Sequence, residues 1–119
     1  MTELTGAGYQ SVRDNIQATW AYAEIRDNAG VAIIRIEGTD PRLTWTHVAN
    51  AQTLKRQIII KGSDADISSL LPKTFGGMAL YSVASGGEAL ASETYTNFTM
   101  ESTSDQLTLV LNVEVPKVL

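Results

Sequence analysis

Hydrophobic positions near the start of the chain recur at three- and four-residue steps, and from Trp20 onward at every second residue. Tyr9, Val12, Ile16 and Trp20 fall on one stripe of a helix, with Arg13, Asp14 and Gln17 turned elsewhere. Ser11 with Asp14 three positions on resembles a capping box in which Asp replaces Glu, so a short helix is predicted over Ser11 to Thr19. The stripe has two uses open to it: a lid laid on a sheet, or a contact with a neighbouring subunit. WAYAEIR and VAIIRIE then flank Asp27-Asn28-Ala29-Gly30, residues suited to a tight turn with a positive φ at the glycine, which predicts a hairpin. LTWTHV sets Leu43, Trp45 and His47 against Thr44, Thr46 and Val48, and TLKRQIIIK turns Leu54, Ile58 and Ile60 inward and Ile59 outward. After a connection over 61–77, GMALYSVA reads as a strand closed by Ser85-Gly86-Gly87, and ETYTNFTM as the next. QLTLVLNVEV has the cleanest alternation: Leu107, Leu109, Leu111, Val113 and Val115 on one face, Gln106, Thr108, Asn112 and Glu114 on the other, Val110 the exception, and Pro116 its end.

About seven short strands at roughly ten-residue spacing behind one N-terminal helix predict a mainly β chain, an antiparallel β-sandwich or small barrel. No repeat or linker divides the 119 residues, so one domain is expected, with the helical segment over 1–19 and the β domain over 20–116. Composition leaves that picture in place: 44% hydrophobic and 18% charged residues belong to a globular chain, large enough to bury roughly two thirds of its unfolded surface. The start, MTELTGAGYQ, is unlike a signal peptide and no apolar run reaches membrane-span length, so a soluble protein with no membrane partner is expected. A net charge of -4, a pI near 4.8 and basic residues scattered along the chain argue against nucleic acid as a partner.

Candidate chemistry is sparse. The absence of Cys and the single histidine, His47, exclude a zinc site of His/Cys type and a Cys–His nucleophile. A Ser-His-Asp triad is arithmetically possible, but no G-x-S-x-G elbow accompanies it, and His47 reads as a surface strand residue. Asp64 and Asp66 open a D-x-D, but a calcium loop begun at Asp64 needs a glycine where Ser69 stands and a glutamate where Phe75 stands, so both aspartates are read as turn caps. The glycines Gly6 and Gly8 precede the helix without a strand before them and read as turns. This reading names no catalytic residue, no metal and no cofactor. Two groups of candidate contact residues remain. Ile67, Leu70, Leu71 and Phe75 lie in a connection without strand alternation, and either pack across the end of the sandwich or insert into a partner. Trp20, Tyr22 and Trp45 would form a sugar-stacking platform if the first and third strands are neighbours, and otherwise fill the core.

The segments GYQSVRDNIQATWAYAEIRD, IIIKGSDADI and NFTMESTSDQLTLVLNVEVP resemble small virion proteins of tailed bacteriophages and prophages, especially tail, baseplate or fibre-anchoring modules. The last segment is similar to the closing hairpin of collar-type fibre N-terminal domains. What the resemblance implies is a non-catalytic structural subunit, located in the virion after a soluble stage in the host cytoplasm. It would form a ring or trimer and hold other virion proteins through Tyr9, Val12, Ile16, Ile67, Leu70, Leu71 and Phe75. A carbohydrate-binding β-sandwich using Trp20, Tyr22 and Trp45, and a capsid decoration or head-tail protein, are the alternatives.

Overall fold

The computed structural model describes residues 3–116. Helix α1 (Gly6–Thr19) precedes strands β1 (Tyr22–Arg26), β2 (Ala32–Ile36), β3 (Leu43–Thr46) and β4 (Thr53–Lys61). One helical turn, α2 (Ala65–Ser68), leads to β5 (Lys73–Tyr81), β6 (Ala91–Met100) and β7 (Gln106–Glu114). All pairing is antiparallel, in a four-stranded sheet ordered β2-β1-β5-β6 and a three-stranded sheet ordered β3-β4-β7. The chain is therefore a two-sheet sandwich with one N-terminal helix. The alternation that predicted the strands is the physical reason for their faces. Along β7, Leu109, Leu111 and Val113 are buried while Gln106, Thr108, Asn112 and Glu114 are exposed. Across the gap, Ala23, Ile25, Ile36, Met78, Leu80 and Met100 supply the opposing core layer. The first hairpin turns as expected: the Asp27 carboxylate accepts from the amides of Ala29 and Val31, and Gly30 takes a φ of 79°. Between the sheets, the Tyr95 hydroxyl on β6 donates to the Val110 carbonyl on β7, and burial pushes this phenol up to about 12.

Three expectations are corrected. The helix starts at Gly6, before Ser11, because the Thr5 hydroxyl caps it by accepting from the Gly8 amide at 3.1 Å; Gly6, Ala7 and Gly8 form the first turn. The helix is also rotated relative to the expected stripe. Arg13 and Ile16 are its buried residues, and Val12 is 39% exposed. Third, the apolar connection is mostly structured, since β5 begins at Lys73. A bulge between Phe75 and Gly77 lets both Phe75 and Met78 face inward. Phe75 is thus 1% exposed, and Ile67, on α2, is fully buried. Both belong to this chain's own core, as does Ile16, so the partner contacts expected of these three side chains are not available.

Candidate functional site

The D-x-D segment finds its partner in Arg42, on the connection between β2 and β3. Arg42 holds Asp40 at 2.8 Å, Asp66 at 2.9 Å and Asp64 at 3.2 Å, and Asp64 also accepts from the Lys61 amide. Hydrogen bonds from Arg42 hold the Asp40 and Asp66 carboxyls below the usual aspartate range, and those aspartates, Asp40 foremost, raise the guanidinium further above its ordinary value. The arrangement joins the β2–β3 connection to α2. A shallow cleft of about 300 Å³ beside it is lined by Thr44, Gln57, Ile59, Lys61 and Asp64. Among the described residues, no group of three or more His, Cys, Asp or Glu side chains is arranged to hold a metal ion.

A second cross-link ties down the helix. Gln10 donates to Asp14 at 2.8 Å and accepts from the Asn50 amide at 2.8 Å and from Arg13 at 3.0 Å. His47 lies 3.1 Å from the Thr53 carbonyl through Nδ1 and 3.2 Å from Gln10 through Nε2. Placing the imidazole proton on Nδ1 satisfies the whole set, with Gln10 donating to Nε2. Arg13 adds a 2.7 Å bond to the Val115 carbonyl. His47 is therefore a strut between α1 and the turn after β3. A third cross-link lies on the outer face of the four-stranded sheet. Glu24 binds Arg26 at 3.0 Å and Arg35 at 2.7 Å; Arg35 stacks 3.6 Å above the Tyr81 ring and donates to the carbonyls of Val83 and Gly86. Burial acts to raise the Glu24 pKa, but the bonds from Arg35 and Arg26 outweigh it and hold the carboxyl below its ordinary value.

The most site-like feature is the cleft around Trp45 and Arg56. Arg56 occupies the inner row of β4 between Leu54 and Ile58 and is 2% exposed. Its guanidinium stacks 4.5 Å from the centre of the Trp45 ring, across the β3–β4 register in which the two residues are paired. Among the described residues its one hydrogen bond runs from Nη2 to the Ala21 carbonyl at 3.0 Å, and the ion pairs are made by other arginines. Desolvation pushes this guanidinium down to about 10, so it keeps its charge at neutral pH. The cleft, about 200 Å³, is lined by Gln17, Ala21, Glu37, Gly38, Thr39, Trp45 and Arg56.

The structure separates the three aromatic residues expected to act together. Trp20 caps the C-terminus of α1, Tyr22 lies in β1 beside Tyr81, and Trp45 is in the other sheet under Arg56. The first and third strands are not neighbours, so the condition set for a shared stacking platform is not met. Of the expected contact residues, Val12 and Leu70 remain exposed, Tyr9 is half-buried, and Leu71 packs against the core. Arg42 and Arg56 escaped the sequence reading. The one signal for Arg56 was a charge at the inward position of a row otherwise filled by Leu54, Ile58 and Ile60. No protein-family model, curated protein or solved structure matches the chain significantly.

Proposed function

We propose that the protein is a non-catalytic structural subunit of a tailed-phage-type virion, a tail, baseplate or fibre adaptor, working through protein–protein contacts in a symmetric assembly. The observation that carries this reading is the use of its charged side chains. Arg42 with Asp64 and Asp66, Arg35 with the carbonyls of Val83 and Gly86, and Gln10 with His47 each fasten together elements separated in sequence. Such cross-links suit a part that carries load between neighbours. The resemblance of the helix-to-first-strand segment and of the closing strand to phage tail and fibre-anchoring modules supports the same reading. The contact surface is the exposed side of the N-terminal segment, Val12 on α1 and Leu4 just before its Thr5 cap. The occupant is a second copy of this chain, since a ring or trimer repeats one contact around its axis.

The test is sedimentation velocity of the full chain over a hundredfold concentration range, for the wild type and for Val12→Asp. The expected result is a concentration-dependent oligomer in the wild type that Val12→Asp dissociates while its circular dichroism and melting stay unchanged. A wild type that remains monomeric, or an oligomer indifferent to Val12→Asp, would contradict the proposal.

A further inference from the structure

The cleft of Trp45 and Arg56 has a chemistry that the assembly role does not use. We infer that it binds a small free carboxylic acid as its carboxylate, with Arg56 as the cation. Two buried polar atoms lack a hydrogen-bond partner among the described residues, Trp45 Nε1 and Arg56 Nε, and both are donors with no capacity to accept. A group that completes these donors is therefore an acceptor, and because neither atom touches solvent, its entry displaces part of the cleft lining. Its charge follows from the position of Arg56, a cation in an apolar row whose guanidinium makes, among the described residues, one hydrogen bond, to a neutral carbonyl. A buried charge of this kind is unfavourable unless a counter-charge compensates it, and filling the space alone would be done better by an aliphatic side chain.

Geometry narrows the anion. The guanidinium sits 4.5 Å from the centre of the indole ring, and its N–H groups, which lie in its own plane, form the fork that matches a planar carboxylate. The site offers one cation, and the exposed Glu37 stands at its mouth, so a monoanion fits better than a dianionic phosphate. A volume of about 200 Å³ admits a few non-hydrogen atoms, and Gln17 and Thr39 supply neutral polar groups around the rim. The site lies where α1 hands over to β1, with Ala21 on one side and the Glu37-Gly38-Thr39 connection on the other.

The experiment follows the Trp45 indole N–H resonance of ¹⁵N-labelled full-length protein, assigned with Trp45→Phe, during titration with sodium acetate at constant ionic strength. Expected is a saturable shift with a Kd on the order of 1–10 mM, as a four-atom ligand permits. The Trp20 indole should stay still, and Arg56→Met should abolish the response. Glu37→Gln removes a repelling charge from an exposed position and should tighten acetate binding roughly twofold. That variant keeps the test decisive if Arg56→Met folds poorly, because unchanged affinity in Glu37→Gln would overturn the assignment of the binding locus. Absence of saturation, an equal shift with chloride, an equal shift in a folded Arg56→Met, or a response to phosphate and none to acetate would each overturn the inference. So would an indole shift that tracks protein concentration without acetate, which would assign the cleft to an acidic side chain of another copy.

Discussion

Leu111 and Arg56 face each other across β7 and β4, both buried, and they should respond in opposite ways to truncation. Leu111 is surrounded by the apolar core, so Leu111→Ala removes transfer energy and leaves a cavity, a loss of roughly 2–5 kcal/mol in chemical denaturation, with Leu109→Ala similar. Arg56→Met removes a buried, unbalanced charge and keeps most of the volume against Trp45, so its stability should stay within about 1 kcal/mol of the wild type or rise. A loss for Arg56→Met as large as that for Leu111→Ala would mean that the cation–π stack is a main prop of the core. The leucine was legible in the sequence because every second residue from Leu107 to Val115 is apolar. Arg56 was not, because its burial depends on Trp45 lying opposite, and the register between two strands is absent from either strand alone.

Among the elements, strands with strict alternation were legible nearly to the residue, whereas α1 and the segment before β5 were not. In α1 the periodic stripe was real, but tertiary bonds from Arg13 and Gln10 chose a neighbouring face, a long-range influence that no local pattern contains. In β5 the bulge at Gly76 broke the period of two, which disguised Phe75 as a loop residue. The loop before it is closed by contacts that give two predictions. A Cβ on Gly62 would clash with the Ser102 carbonyl, so Gly62→Ala should destabilise by roughly 1–3 kcal/mol in urea unfolding through the forced separation of the β4–α2 and β6–β7 connections. The second concerns acid. Asp40 and Asp66 have folded-state pKa values below their unfolded ones, so the stability they contribute is present above the ordinary aspartate value of about 3.9 and is lost as pH falls through the lower folded values. Melting temperature should therefore fall on acidification below about pH 4, and Arg42→Met should flatten that dependence, since the bonds that lower the Asp40 and Asp66 pKa values are then gone. Parallel melting curves for the two proteins would show that the Arg42 cluster contributes nothing to folding.

At the scale of the whole molecule, the chain extends 52 × 26 × 24 Å with a radius of gyration of 15.5 Å, longer than the roughly 13.5 Å typical of a compact chain of this length. No helix is long and apolar enough to cross a membrane among the described residues. The sandwich is elongated and braced by three side-chain cross-links, and Leu4, before the helix, and Val12, on it, are exposed. Of the apolar residues named from the sequence as contacts, Val12 and Leu70 are exposed, while Ile16, Ile67 and Phe75 carry the same apolar signal and are taken up by the core. Hydrophobicity alone does not distinguish a residue awaiting a partner from one already packed by its own chain. The measurement that bears most directly on the proposed assembly is sedimentation velocity of the full-length chain and of Val12→Asp across concentration. Expected is a reversible, symmetric oligomer that the aspartate disperses into folded monomers. A wild-type chain that sediments as a single monomer at every concentration would contradict it.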